Sequence, residues 1–318
     1  MNKIIVNIFF ISVFLSFFSG CKDINKSSDT NKDDKAITSS NSIVLPKEKT
    51  VALQTSQKEI LMKLYNSNPK NKLGWNIDAA DINEWEGVHI DKDGNVAELN
   101  LGFKNITTIP KEIEELTSLT ELTLKGNELT SIPLEIGNLN KLSKLSLAYN
   151  NLTSLPSEIG NLVNLIKLDL YKNDLVSIPS EIGKLIKLEN LSISVNKPHS
   201  IPSAIGKLIS LKVLDLKQNN LTNIPSEIGQ LTSLHWLNLM ENKLSTIPLE
   251  MGQLKNLETL LLNNNNLTSI PSAIGQLKKL MNLNLKGNKI TSLPVEVCDL
   301  KREKGDLLKI DEAAFCNQ

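Results

Sequence analysis

Residues 142–160 read LSKLSLAYNNLTSLPSEIG, and the same order of leucine, asparagine, proline and glycine returns every 23 residues along most of the chain. The prolines show this period most clearly, at Pro110, Pro133, Pro156, Pro179, Pro202, Pro225, Pro248, Pro271 and Pro294. Nine of the twelve prolines lie on this ladder, so chance does not explain the spacing. A fixed period of roughly 20 to 50 residues indicates an array of small structural units that bury their apolar faces by stacking on one another.

Each position of the quoted repeat has a physical role. The Leu-Ser-Leu run at 145–147 has the period-two pattern of a short strand with one buried face, and we expect strands of successive repeats to pair in parallel. Asn150 stands where the strand ends, so its amide can bond backbone groups that the turn leaves unpaired. We expect Pro156 at the first position of a short helical turn, Glu158 at its positive end, and Gly160 to terminate it.

This pattern, L-x-x-L-x-L-x-x-N-x-L, resembles the leucine-rich-repeat family over residues 96–300, which hold nine repeats. The resemblance implies an α/β fold, a right-handed solenoid with a parallel β-sheet on its concave face and short helical turns on its convex face. Residues 57–95, with Gly74-Trp75, Trp85-Glu86-Gly87-Val88 and Asp93-Gly94, resemble the N-terminal cap before such repeats in plant receptor kinases and bacterial surface proteins such as the internalins. We predict that this segment covers the first repeat, and that residues 301–318 close the other end.

Three polar residues in the cap, Asp91, Asp93 and Asn95, permit a calcium site or a turn. A calcium-binding EF-hand loop needs glycine at position six and glutamate at position twelve. Gly94 is only the fourth residue counted from Asp91, and Glu98 is the eighth. We therefore interpret the segment as a β-hairpin turn.

The N-terminus has the pattern of an export signal. Residues 4–18 are apolar except for three polar residues, and this run is shorter than the about 20 residues that span a bilayer, so we predict a signal peptide over residues 1–20. Phe18-Ser19-Gly20-Cys21 resembles the lipobox of bacterial lipoproteins, which implies that Cys21 carries a lipid. The alternative is an ordinary cleaved signal with an incidental cysteine. Residues 21–56 are polar, and we predict a flexible tether there.

The other two cysteines, Cys298 and Cys316, stand 18 residues apart near the C-terminus. In an oxidising compartment they are suited to a disulfide that closes the end of the fold. Two buried free thiols are the alternative.

The residue inventory argues against catalysis. Lys plus Arg equals Asp plus Glu, at 35 each, so the net charge gives no reason to expect a nucleic-acid partner. The histidines, His89, His199 and His235, have no Cys, Asp or Glu partner at the spacing of a metal site or a catalytic triad. We predict that the protein is not an enzyme and needs neither a metal nor a cofactor.

Function is then expected on the concave face, where the variable residues that flank the strand leucines project. The candidate ligand-binding residues are Tyr149, Tyr171, Asp169, Asp215, Lys217, His235, Trp236, Met240 and Leu261. Exposed aromatic side chains at the centre of a surface are typical binding anchors. The alternative for Trp236 is an indole that lies flat over the sheet without a partner. Asp169 and Asp215 are expected about 10 Å apart, too far for one metal ion, and we interpret them as a polar rim.

The sequence therefore predicts an exported, lipid-anchored, monomeric binding protein. Its expected partner is a protein, or else a glycan, on the concave face, and its N-terminal lipid is expected to hold it to the outer membrane or cell surface. Similar repeat lipoproteins of bacteria imply adhesion or host interaction as one use. A periplasmic scaffold or assembly protein with an endogenous partner is the alternative function.

Overall fold

The computed structural model of the protein describes residues 47–79, 81–304, 308–310 and 315–316. The predicted signal peptide, Cys21 and residues 21–46 of the predicted tether lie outside the described residues. Within the described part of the chain, no helix combines the length and the apolar character needed to cross a membrane.

The N-terminal cap begins with helix α1 (Lys47–Ser67), followed by a 3-10 turn, η1 (Ile82–Glu84). The helix starts ten residues before the predicted cap boundary at Gln57, so residues 47–56, which were predicted as part of the tether, are helical in the structure. Residues 47–68 contain no glycine or proline to break a helix, and Pro69 follows its end. The prediction missed this part of the helix because it relied only on the polar composition of these residues.

A hairpin connects the cap to the repeats. Strands β1 (Val88–Ile90) and β2 (Val96–Asn100) pair antiparallel, and the predicted turn joins them. The carboxylate of Asp91 accepts the backbone N–H groups of Asp93 and Asn95, both at 2.9 Å, which is the geometry expected of a turn.

Two buried tryptophans form the core of the cap. The rings of Trp75 and Trp85 stack with their centroids 4.7 Å apart. Each indole N–H donates to a backbone carbonyl, of Glu86 for Trp75 and of Asn76 for Trp85. The rings can therefore be buried without leaving a polar atom unpaired.

Each repeat adds one short strand to a single sheet. The strands are β3 (Glu121–Thr123), β4 (Lys144–Ser146), β5 (Lys167–Asp169), β6 (Asn190–Ser192), β7 (Val213–Asp215), β8 (Trp236–Asn238), β9 (Thr259–Leu261) and β10 (Asn282–Asn284). Among the described residues the sheet has eleven strands, in the order β1 to β10 followed by a later strand, β12 (Leu308–Lys309). From β2 onward the pairing is parallel with a shift of one repeat, so that Leu145 lies beside Leu168. This is the predicted solenoid, with its strand leucines buried.

The opposite side of the repeats consists of five-residue 3-10 turns. They are η2 (Lys111–Glu115), η3 (Leu134–Asn138), η4 (Ser157–Asn161), η5 (Ser180–Lys184), η6 (Ser203–Lys207), η7 (Ser226–Gln230), η8 (Leu249–Gln253) and η9 (Ser272–Gln276). Two predicted roles in these turns were wrong. Pro156 precedes the turn as an extended N-cap residue, with φ −66° and ψ 150°, and does not occupy the first helical position.

Gly160 likewise lies inside its turn and does not terminate it. A Cβ at this position would lie 2.4 Å from the carbonyl oxygen of Glu181 in the next repeat. Glycine is therefore present because the backbones of neighbouring turns approach closely, and six further repeats have glycine at the same position.

The asparagines form the hydrogen-bond ladder that the pattern predicts. The side-chain amide of Asn150 donates to the carbonyls of Leu147, in its own repeat, and Leu124, in the preceding one, at 2.9 and 3.0 Å. Its carbonyl oxygen accepts the backbone N–H of Leu129 at 3.0 Å. One buried side chain thus satisfies three backbone groups of two repeats.

A second ladder was not predicted. One residue per repeat, directly before the asparagine position, has a left-handed backbone with φ between 51° and 70°. These residues are Phe103, Gly126, Tyr149, Lys172, Val195, Gln218, Glu241, Asn264 and Gly287. Most side chains avoid this conformation, at a cost of about 1 kcal/mol each. We call these nine residues the left-handed column. They lie along the edge of the sheet at which the strands end.

The C-terminal cap begins inside the last repeat. Helix α2 (Val295–Lys304) replaces the 3-10 turn there and crosses the predicted boundary between residues 300 and 301. Strand β12 (Leu308–Lys309) extends the main sheet beside β10, and β13 (Phe315–Cys316) pairs with β11 (Ser292–Leu293). A disulfide joins Cys298 to Cys316, with their Cα atoms 6.0 Å apart.

The asparagine ladder makes a testable contribution to stability. Replacing Asn150 with alanine leaves the buried Leu129 N–H without its acceptor and removes one of the two amide donors to each of the Leu124 and Leu147 carbonyls, so we expect the free energy of unfolding to fall by about 2 kcal/mol. Asn151→Ala is the matched control, because this neighbouring side chain is exposed and should change stability by less than about 0.5 kcal/mol. Chemical denaturation of both variants measures the difference. Equal losses would contradict the assigned role.

Candidate binding surface

The centre of the concave face is less open than the sequence predicts. Ser192, Asp215 and Asn238 occupy the position between the strand leucines in consecutive repeats, and they are only 8%, 6% and 3% exposed. Their short side chains fold back onto the strand: Asp215 accepts the backbone N–H of Lys217 at 3.0 Å, and Asn238 accepts that of Met240 at 3.2 Å. The interpretation of Asp215 as part of an exposed rim was therefore wrong.

The two tyrosines lie together, as their neighbouring repeats predict. The rings of Tyr149 and Tyr171 make an edge-to-face contact with centroids 5.0 Å apart, and both side chains are half-buried. Two lysine ammonium groups approach the Tyr149 ring, Lys125 at 5.4 Å and Lys172 at 5.1 Å from its centroid. Burial raises the pKa of Tyr171, and the neighbouring Tyr149 adds to this effect.

An exposed phenylalanine extends this cluster. It was not among the binding residues predicted from the sequence. Phe103 is 64% exposed, and the Lys125 ammonium lies 5.8 Å from its ring centroid. The ring passes over Gly126, where a Cβ would lie 2.3 Å from the nearest ring carbon. A large apolar residue beside Gly126 in the left-handed column is the signal that would have identified it.

Two carboxylates lie below the tyrosines. Asp169 and Asp215 are two strands apart, with Ser192 between them in the register. Burial raises the pKa of Asp169, although bonds from the Tyr171 N–H and the Ser146 hydroxyl and the charge of Lys125 oppose it. Burial also raises the pKa of Asp215 to about 6.

The predicted cluster around the indole forms only in part. Trp236 is half-buried in β8, Met240 follows two residues after the end of that strand, and Leu261 on the neighbouring strand pairs with Asn238. His235 has the opposite strand parity, and its Nδ1 lies 2.7 Å from the carbonyl oxygen of Ser233. The structure therefore does not bring His235 together with Trp236.

The remaining predicted site residue, Lys217, is half-buried, and its charge acts on Asp215. Its ammonium lies 3.5 Å from a carboxylate oxygen of Glu241 in the next repeat. Across the described ranges, no three His, Cys, Asp or Glu side chains converge as a metal site would require.

Family comparison agrees with this architecture. A family model described as a leucine-rich repeat region matches residues 87–200, 135–234, 180–260 and 226–302, which is more than half of the chain. The chain belongs to the leucine-rich-repeat family. No curated protein sequence gives a significant match to this leucine-rich-repeat protein.

Solved structures provide closer comparisons. A leucine-rich-repeat protein of Leptospira interrogans is 42% identical, with a TM-score of 0.64 over 71% of this chain and 56% of that chain. The ectodomain of the Arabidopsis thaliana receptor kinase GASSHO1/SCHENGEN3, in complex with CASPARIAN STRIP INTEGRITY FACTOR 2, is 36% identical, with a TM-score of 0.71 over 77% and 31%. A plant peptide hormone receptor, RGFR1 in complex with RGF2, is 28% identical, with a TM-score of 0.53 over 73% and 49%. The present chain thus aligns with about half or less of each of these proteins.

The buried carboxylate predicts a pH-dependent stability. Because the pKa of Asp215 is about 6 when folded and 3.8 ordinarily, the folded state binds the proton more tightly, and the free energy of unfolding falls as the pH rises through this interval. Asp215→Asn keeps the acceptor for the Lys217 N–H, as asparagine does at position 238. We expect the variant to be more stable than wild type by about 3 kcal/mol at pH 7.5 and equally stable below about pH 4.

Denaturant unfolding across this pH range measures the effect. Asp174→Asn is the control, because Asp174 is partly exposed in an ion pair with Lys197 and should show little change. A stability difference for Asp215→Asn that does not vary with pH would contradict the assignment.

Proposed function

We propose that this leucine-rich-repeat protein binds a protein partner through its concave face and has no catalytic role. The observation that carries the proposal is the contact between Tyr149 and Tyr171, two half-buried rings held at the end of rigid, paired strands. Aromatic side chains in such positions offer large contact areas at a small entropic cost. Trp236, Met240 and Leu261 provide a second apolar area three strands further along the sheet.

The similar structures support this kind of partner. The GASSHO1/SCHENGEN3 ectodomain and the RGFR1 receptor are both in complexes, with CASPARIAN STRIP INTEGRITY FACTOR 2 and RGF2 respectively. Leucine-rich-repeat domains are typically interaction modules. By analogy of fold, we propose a protein ligand for this chain in preference to a glycan.

Export and anchoring form a further part of the proposal. The apolar run at residues 4–18 and the lipobox-like Phe18–Cys21 support a signal peptide and a lipid on Cys21. The disulfide between Cys298 and Cys316 is compatible with an oxidising compartment. We propose that the chain is a bacterial lipoprotein of the outer membrane or cell surface, and that it acts there as a monomer.

Binding through the concave face can be tested without knowing the natural partner. Phage-displayed random peptides would be selected on the full-length wild-type protein, and their affinities measured for Trp236→Ala and for the control Leu249→Ala. Leu249 is 63% exposed but lies on the convex turn η8. We expect Trp236→Ala to weaken binding about tenfold or more while thermal unfolding changes little, and Leu249→Ala to have no effect.

Two results would contradict this proposal. Selected peptides that lose affinity equally in both variants would place the site elsewhere. A loss of several kcal/mol of stability in Trp236→Ala would show that the indole belongs to the core.

The lipid anchor has its own test. Cys21→Ser removes the thiol that would be acylated, so we expect the protein to move from the membrane fraction to the soluble fraction of a bacterial host. Cys316→Ser is a useful comparison, since it alters another cysteine and should leave membrane association unchanged. A Cys21→Ser variant that stays in the membrane fraction would overturn the proposed anchor.

A further inference from the structure

A row of aromatic and lysine side chains follows the edge of the sheet where strands β2 to β5 end. We define the aromatic–lysine strip as Phe103, Lys125, Tyr149, Tyr171 and Lys172. We propose that this strip binds an acidic, extended segment of the protein partner, an inference that rests on the proposed binding function and specifies the chemistry of its ligand.

The contacts make the strip continuous. The ammonium of Lys125 lies between two rings, 5.8 Å from the centroid of Phe103 and 5.4 Å from that of Tyr149. The ring centroids of Tyr171 and Tyr149 lie 5.0 Å apart, and the ammonium of Lys172 lies 5.1 Å from the Tyr149 centroid. Four repeats at about 4.8 Å per strand give a length of about 15 Å, which matches four or five residues of an extended peptide.

The backbone of the strip does not require its large side chains. Phe103, Tyr149 and Lys172 belong to the left-handed column that every repeat shares, with φ of 59°, 56° and 54°. Glycine occupies the same column at Gly126 and Gly287, so the fold does not require a side chain there. The two aromatic residues of the column, Phe103 and Tyr149, both lie in the strip, where aromatic side chains can serve as binding anchors.

Charge determines the kind of ligand. Lys125 and Lys172 give the strip two ammonium groups. The carboxylate whose charge acts on Lys125 is that of Asp169, which also accepts the Tyr171 N–H at 3.1 Å. Two positive charges beside one negative charge leave the strip with a net positive balance, which is complementary to an acidic ligand.

The rings add selectivity for a peptide. Partial burial lowers the pKa of Lys125, which shows that its ammonium has lost some of its water. A carboxylate beside such an ammonium is screened less than one in bulk solvent. The exposed ring of Phe103 and the Tyr149–Tyr171 pair provide apolar contact for side chains between the acidic residues, as aromatic anchors do in protein interfaces.

A defined probe tests the inference. Fluorescein-labelled random copolymer of glutamate and tyrosine would be titrated with the full-length protein, and its anisotropy followed at low and moderate salt. We expect Lys172→Glu and Tyr149→Ala to weaken binding about tenfold, and Lys172→Arg to retain it. Lys187→Glu makes the same charge change at an exposed lysine in the segment between η5 and β6, and should change affinity less than about twofold.

The possible outcomes are distinct. Equal weakening by Lys187→Glu, or no binding of the copolymer, would overturn the inference. Tighter strip-dependent binding of heparin would assign the strip to a sulfated polysaccharide and overturn it as well. If peptides selected on the wild-type protein depend on Trp236 but not on Lys172, the proposed function stands and the acidic-segment inference fails. If no peptide is selected, the proposed function itself fails.

Discussion

The structure depends on one interaction, the hydrogen bonds that each buried asparagine makes with the backbone of its own repeat and of the preceding one. A repeat of 23 residues is too small to bury its leucines alone, so it is stable only when stacked. The strands supply three residues each to the sheet, and the chain then turns sharply with unpaired carbonyls. Asn150 and its equivalents satisfy those carbonyls, and this allows the turn to be buried.

Close stacking also explains why the turns on the other side contain glycine. The pattern around Pro156 and Gly160 was sufficient to predict a short helical turn, because local propensity determines that much. It assigned the wrong roles to both residues, since each role depends on the neighbouring repeat. The carbonyl of Glu181 excludes a Cβ at position 160, and a single repeat considered alone has no such neighbour. The sequence pattern of one repeat contains no information about contacts between repeats.

The binding surface was predictable to a similar extent. Period-two alternation predicted that Tyr171 and Trp236 project from the sheet; Trp236 lies in β8, Tyr171 follows two residues after β5, and both are half-buried. Alternation did not predict which polar residues would fold back onto the strand, so Asp215 is buried where an exposed group was expected. Nor did it draw attention to Phe103, whose position depends on a left-handed backbone that the sequence reveals only when nine repeats are aligned by their asparagines.

The residues that the sequence pattern did not predict correctly on this surface all lie on or beside the β-sheet. The convex turns and the leucine core vary little from repeat to repeat, as a stack of equivalent units requires. The departures from this regularity lie on or beside the sheet: a buried carboxylate at Asp215, and the two aromatic residues, Phe103 and Tyr149, of a left-handed column that every repeat shares. A sequence that varies on one surface, there at a cost in stability, while its scaffold repeats regularly is constrained on that surface by something other than folding. We propose that ligand recognition is this constraint.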